Sequence, residues 1–373
     1  MHDCPLYLEP YKDLWQQNPR AANLEWFANA RYGLFLHYGL YSVMHKHEWS
    51  MYLERIPLEK YEQLADQFTA HHFDAEAITD LALQAGMKYI NLTTCHHEGF
   101  CLWDSKIEPY NSVNSPCGRD LVKELSEACA RKGLGFFAYF TFMLHWRHPY
   151  FVSRHEYRDA RPDYPEPEPR YLYRERADFD KYLDYIEGLI DELLSHYQIT
   201  GIWFDIISMW YQLGPAFIPI EAIYARIRKK YPGVLIAWKN GATGTEDFAS
   251  PEHNIEKSLS STREKFGEIG EARALVAYKG NCNKHNEICS TIHMGSWSYN
   301  PMCKNRTADE IYQLLGYANA HNCNLLLNTG PMADGSIHPQ QRKILLEVAA
   351  RIAKDGFPEA GSLAKFEGHV KVI

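Results

Sequence analysis

A (β/α)8 barrel is the fold class this sequence predicts, and three observations predict it. Short apolar runs alternate with amphipathic stretches along most of the chain, as expected of βαβ units around a parallel sheet buried on both faces. No G-x-G-x-x-G follows the first apolar run, which disfavours a dinucleotide-binding sheet. Polar side chains recur where successive apolar runs end, and a barrel carries its chemistry at that face.

The elements follow in order. YGLFLHYG (32–39) is the first strand. DAEAITDLALQAG (74–86) has helical apolar spacing, an Asp cap and a closing Gly. Strand KYINLTT (88–94), helix RDLVKELSEACARKG (119–133) and strand LGFFAYFTF (134–142) come next. DFDKYLDYIEGLIDELLSHY (178–197) repeats apolar residues at 179, 182, 183, 186, 189, 190, 193 and 194, one face of a long helix. Strand GIWFDII (201–207), helix IEAIYARIRKKYPG (220–233) and strand VLIAWKN (234–240) continue the alternation. Helix ADEIYQLLGYANAHN (308–322), strand CNLLLNTG (323–330) and helix QQRKILLEVAARIAKDG (340–356) complete it. That makes six strands, so residues 245–295 must supply two more if the sheet closes at eight. Two polar stretches, 145–176 and 256–287, are expected to form lids or binding walls.

A single catalytic domain over 1–373 is predicted, with its core at about 25–357 and a tail at 358–373. In that tail Leu363, Phe366, Val370, Val372 and Ile373 alternate with polar residues, which predicts docking on the barrel or pairing with a second chain as a homo-oligomer. A net charge of −8 without any Lys/Arg block argues against a nucleic-acid partner. No apolar run is long enough to span a membrane, and MHDCPLYLEPYKD lacks the basic-then-apolar pattern of a secretory signal. The nine cysteines form no CxxC pair and read as reduced thiols, so a cytoplasmic location is expected.

The strand ends carry the functional signal. The first ends at His37, the second at His96 and His97, the third carries Tyr139, the fourth ends at Asp205 and the last at Asn328. The fifth runs into WKNG, and the loop beyond holds Glu246, Asp247 and Glu252. A metal could use His37, His96 or His97, and Asp205, but adjacent histidines on a continuing strand face opposite ways, so no metal is assigned. A serine or cysteine triad lacks a nucleophile on a sharp turn, since G-x-S-x-G is absent. A pair of carboxylates fits best. Asp205 would attack and a loop Glu would protonate the leaving group, while the histidines and Tyr139 hold a polyol. Trp49, Trp103, Trp203, Trp210, Trp238 and Trp297 offer flat faces for sugar rings.

These motifs resemble glycoside hydrolase family 29, the α-L-fucosidases. ARYGLFLHYGLYSV resembles the family's first-strand signature, with Tyr38 where Trp is usual. HEW (47–49), HHEGFCLWDSK (96–106, with Glu98 in place of Asp), GRDLVKEL, GIWFD, EICSTIHMGSWSYN and NLLLNTGPMADGSI follow in the family's order over roughly residues 10–357. The resemblance implies a (β/α)8-like barrel without the family's usual C-terminal β-sandwich. It also implies retaining hydrolysis of terminal α-L-fucosides through a covalent glycosyl-enzyme, with no cofactor. Asp205 resembles the nucleophile; His37, Glu48, Trp49, His96, His97, Tyr139, Trp203 and Trp297 resemble the residues of the fucose pocket. Glu252, in DFASPEHN, and Glu287, in EICST, are the two candidates for the acid/base. Where many members carry an Arg after the fifth strand, Lys239 or Asn240 stands here. A glycosidase for another fucose-like sugar, such as an α-L-galactoside, and a catalytically silent sugar-binding barrel are the alternatives.

Overall fold

The computed structural model describes residues 3–253 and 259–359. Eight parallel strands form the sheet: β1 (Tyr32–Leu36), β2 (Tyr89–Cys95), β3 (Gly135–Thr141), β4 (Gly201–Asp205), β5 (Leu235–Lys239), β6 (Phe248–Ser250), β7 (Asn286–Thr291) and β8 (Cys323–Thr329). Residues 245–295 thus supply the two missing strands. Neighbours run β6-β5-β4-β3-β2-β1-β8-β7. The seam between β6 and β7 is joined just past β6, where Cys289 N donates to Pro251 O (3.0 Å) and His253 N donates to Cys289 O (2.8 Å).

Strand alternation sorts the side chains into two cores. Inside the barrel, Phe35, Tyr89, Phe137, Tyr139, Trp203, Phe248 and Leu326 pack together. Gly33 and Gly201 leave the room this takes, since a Cβ at either would stand 2.4 Å from the ring of Tyr89 or Phe137. Helix α1 (Pro19–Ala30) seals the floor with Trp26 and Phe27, the latter stacked on Phe248 at 4.0 Å. Outward residues such as Leu34, Ile90, Phe136, Ile202, Ile236, Ile288 and Leu325 form the outer core. Around them lie α2 (Ala75–Gln84), α3 (Leu121–Lys132), α4 (Arg176–His196), α5 (Ile220–Lys230), α6 (Leu259–Asn281), α7 (Ala308–Ala320) and α8 (Pro339–Asp355). The caps read for helix 74–86 form: Asp74 accepts from Ala77 N, and Gly86 follows the helix end at φ 79°. Helix α3 is closed in the same way, Asp120 accepting from Lys123 N and Gly133 standing at φ 71°.

Two expectations change. The stretch 256–287, read as a loop, carries α6 over Leu259–Asn281. The first strand stops at Leu36, so His37 lies just beyond the ladder. The 145–176 stretch is an ordered wall organised by Arg161. Its guanidinium donates to Val152 O (3.0 Å), His148 O (3.0 Å), Pro149 O (3.1 Å) and Phe151 O, and lies 3.6 Å from the Tyr171 ring centre. Among the described residues no β-sandwich follows the barrel, and Leu363, Phe366, Val370, Val372 and Ile373 lie outside them. No helix among the described residues is long and apolar enough to cross a membrane.

Candidate active site

Three consecutive strand ends place three charges together. Asp205 closes β4, Lys239 closes β5, and Glu252 stands two residues past β6. Each is followed by a left-handed residue: Ile206 (φ 57°), Asn240 (φ 62°) and His253 (φ 65°). For a β-branched residue such as Ile206 this conformation is strained, and such strain concentrates at functional sites. The turn lets Ile206 N donate to Asp205 Oδ1 (2.7 Å), while Tyr139 Oη donates to Oδ2 (2.7 Å). Lys239 Nζ lies 2.9 Å from Glu252 Oε2 and 3.5 Å from Asp205 Oδ1. Burial works against the ammonium, but Asp205 and Glu252 outweigh it and hold the Lys239 pKa well above the usual value. Glu252 Oε1 accepts from Trp297 Nε1 at 3.2 Å.

The histidines present acceptors. Thr141 Oγ1 donates its proton to Leu144 O (2.7 Å), so it must accept from His97 Nδ1 at 2.7 Å. His97 Nε2 then carries a lone pair, 3.8 Å from Asp205 Oδ2. The same logic fixes His37. Asn328 Nδ2 donates to Trp297 O (2.7 Å) and Thr291 Oγ1 (3.0 Å), leaving Oδ1 to accept from His37 Nδ1 at 2.7 Å. Burial, and then the neighbouring His96, push both pKa values well below the ordinary histidine range, so both rings are neutral. His96 lies with its Nδ1 3.4 Å from Glu98 Oε2 and its ring stacked on Tyr139 at 5.4 Å. The opposed facing expected for His96 and His97 does not occur. Strand β2 ends at Cys95 after a register shift, and the two ring centres lie 3.9 Å apart.

Aromatic groups and Glu48 complete the rim. Glu48 Oε2 accepts from Trp297 N (3.1 Å) and Ser298 N (3.2 Å), tying the segment after β1 to the one after β7. The Trp297 ring stands 5.0 Å from His37, and Trp49 meets His97 edge-on at 5.2 Å. Trp203 stacks beneath Tyr139 at 5.5 Å. Two carboxylates, neutral imidazole acceptors and flat aromatic faces gathered together have the chemistry that engages a polyhydroxylated ring.

Other polar residues named from sequence lie elsewhere. Glu287, second residue of β7, is deep in the barrel and accepts from Tyr89 Oη (2.6 Å), Ser250 Oγ (2.8 Å) and Trp203 Nε1 (3.0 Å). Burial outweighs these donors and raises its pKa to about 7. Glu246 accepts from the backbone N–H groups of Ala242 (2.9 Å) and Thr243 (3.1 Å), and Asp247 pairs with Arg20 (2.6 Å). Trp238 on β5 faces the outer core by strand parity, and Trp103, in the segment after β2, lies in the same core with its indole donating to Glu192. Lys239, rather than Asn240, reaches the carboxylates; Asn240 occupies the left-handed turn after it. Thr141 and Asn328 set the imidazole tautomers, roles no local pattern announces. His96, His97 and Asp205 offer ligand atoms within 4.8 Å of one another, but the Lys239 ammonium beside Asp205 would repel a cation there.

Comparison with known proteins finds related chains over most of this one. The chain is 27% identical over 363 residues to human plasma alpha-L-fucosidase, covering 90% of this chain and 68% of that protein. It is 24% identical over 354 residues to a putative alpha-L-fucosidase of Caenorhabditis elegans, covering 88% of this chain but 64% of that one. Among solved structures, alpha-L-fucosidase isoenzyme 1 from Paenibacillus thiaminolyticus superposes with a TM-score of 0.74 at 30% identity, over 94% of this chain and 80% of that one. Alpha-L-fucosidase AlfC from Lactobacillus casei, in complex with its alpha-L-fucose product, gives 0.73 at 28% identity, over 89% and 98%. The family model described as Alpha-L-fucosidase matches residues 6–356, and the chain belongs to the alpha-L-fucosidase family.

Proposed function

We propose that this protein is a retaining exo-α-L-fucosidase that releases terminal α-L-fucose from small fucosides and fucosylated oligosaccharides. Asp205 attacks C1 of the sugar as the bond to the leaving oxygen breaks, and Glu252 protonates that oxygen. The resulting β-fucosyl ester on Asp205 is then cleaved by water, which Glu252 deprotonates. With both carboxyls ionised, the trio with Lys239 carries one net negative charge. A proton on Glu252 leaves a neutral Asp205–Lys239 pair, the state required for attack. The bare Nε2 atoms of His37 and His97 accept hydrogen bonds from sugar hydroxyls, and Trp297 packs near the sugar's methyl group.

One observation carries this reading. Because Lys239 Nζ touches both carboxyls, Asp205 Oδ1 and Glu252 Oε2 are no farther apart than the sum of those two distances, 6.4 Å. Inverting glycosidases hold their carboxyls about 6.5–9.5 Å apart to admit a water and retaining ones about 5–5.5 Å, so two carboxyls bridged by a single ammonium support the closer, retaining arrangement. The test is a panel of nitrophenyl glycosides that includes the α-L-fucoside and the α-L-galactoside, with the first-formed anomer read by NMR. Release of α-L-fucose supports the proposal. Release of the β anomer, preference for the galactoside, or turnover of neither overturns it. The nine free thiols, Cys95 and Cys101 among them, support a reducing, cytoplasmic compartment. Self-association through the tail residues Leu363, Phe366, Val370, Val372 and Ile373 is a companion proposal that light scattering tests, a monomer at micromolar concentration refuting it.

A further inference from the structure

We propose that Glu287 is a positioning residue for the nucleophile, acting through Trp203 and Tyr139, and does not exchange protons with the substrate. Its two oxygens take three donors from three strands: Tyr89 on β2 (2.6 Å), Trp203 on β4 (3.0 Å) and Ser250 on β6 (2.8 Å). The indole it holds is stacked on Tyr139 at 5.5 Å with 23° between the planes. Tyr139 in turn donates to Asp205 Oδ2 at 2.7 Å. Every member is buried: Glu287 is 1% exposed, Trp203 2%, Tyr139 0% and Asp205 5%. In a close-packed interior a tilt of the indole is passed to the phenol and then to the attacking oxygen. Glu287 also lies four residues before the end of β7, whereas Glu252 stands beyond the end of β6, level with Asp205 and Lys239.

The inference rests on Asp205 as nucleophile, so Asp205→Asn is measured in the same series. If that variant turns over, the proposed function fails whatever Glu287 does. Glu287→Gln keeps the shape and the acceptor for Trp203. It is assayed on 4-nitrophenyl and methyl α-L-fucosides with and without azide, and L-fucose inhibition is measured alongside. A positioning role predicts that kcat falls about tenfold by the same factor on both substrates. The inhibition constant of L-fucose should stay within about twofold, since binding is spared, and azide should accelerate nothing. Combined with Trp203→Phe, which removes the indole N–H, the Gln variant should add no further loss. A larger loss on the methyl fucoside with azide acceleration would make Glu287 the acid/base. Unchanged kcat, or fully additive losses in the double variant, would overturn the inference as well. Should Glu287→Gln not fold, Trp203→Phe alone decides, an equal loss on both substrates supporting the chain and an unaltered kcat refuting it.

Discussion

Replacing Lys239 by Met removes the ammonium between two carboxylates and should move the pH dependence of turnover in a defined direction. At an effective dielectric of about 20, charges 3.5 Å and 2.9 Å apart interact by roughly 5 and roughly 6 kcal/mol. The Lys239 side chain is 20% exposed, so water at the cleft mouth weakens this. Retaining about half leaves roughly 2.5 kcal/mol of attraction to Asp205, or nearly two pH units on the enzyme's acidic limb at about 1.4 kcal/mol per unit. The sign is fixed by the chemistry. The two carboxylates lose the cation that balances their charge, so the acidic limb of the kcat/KM profile moves to higher pH. The assay is kcat/KM on 4-nitrophenyl α-L-fucoside from pH 4 to 9, with circular dichroism to show that the variant is folded. Lys239→Arg, which keeps the charge, should shift the limb by less than about one unit. A folded Lys239→Met variant whose profile overlies that of the unmodified protein would refute the electrostatic role.

Further outcomes are expected elsewhere in the site. Asp205→Asn should lower kcat at least about a thousandfold without unfolding, and azide should restore activity by direct attack to give the β-L-fucosyl azide; comparable turnover without azide would sink the covalent route. Glu252→Ala should hurt methyl α-L-fucoside far more than the nitrophenyl substrate, and azide should give the α-L-fucosyl azide by opening the ester. Thr141→Val removes the acceptor that fixes the His97 tautomer and should cost about tenfold in kcat/KM, with the changed tautomer visible in imidazole nitrogen shifts; unchanged shifts would remove that explanation. Burial lifts the Glu287 pKa from 4.5 to about 7, so between those values the folded state holds a proton the unfolded chain has lost. Stability from this group is complete below about pH 4.5 and falls by on the order of 3 kcal/mol as pH rises through 7. Urea titrations at pH 5 and pH 8 should show that loss in the unmodified protein and its absence in Glu287→Gln; parallel behaviour would contradict it.

Local chemistry made much of this protein readable from its residues alone. Strand and helix periodicities depend only on which neighbours are apolar, so six strands and most helices could be placed before any fold was known. Asp74 and Gly86 acted as helix punctuation because caps depend on a few adjacent atoms. The order of His37, His96, His97, Tyr139 and Asp205 at successive strand ends marked the cleft, since a parallel barrel collects those ends on one face. What depended on distant partners waited for the folded chain. Strand β6 has only three residues, too few for periodicity to register. Glu252 and Glu287 are both acids in the same stretch of sequence. They part company because one stands beyond its strand and the other, near the start of β7, meets Tyr89, Trp203 and Ser250 inside the barrel. Trp203 and Trp238 differ in the same way, by which face of the sheet their strand position selects. The placement of Lys239 between two carboxylates, and the tautomers set by Thr141 and Asn328, join groups far apart in the chain. Hydrogen bonds and ion pairs act over a few ångströms of space, a separation that only the closed barrel creates.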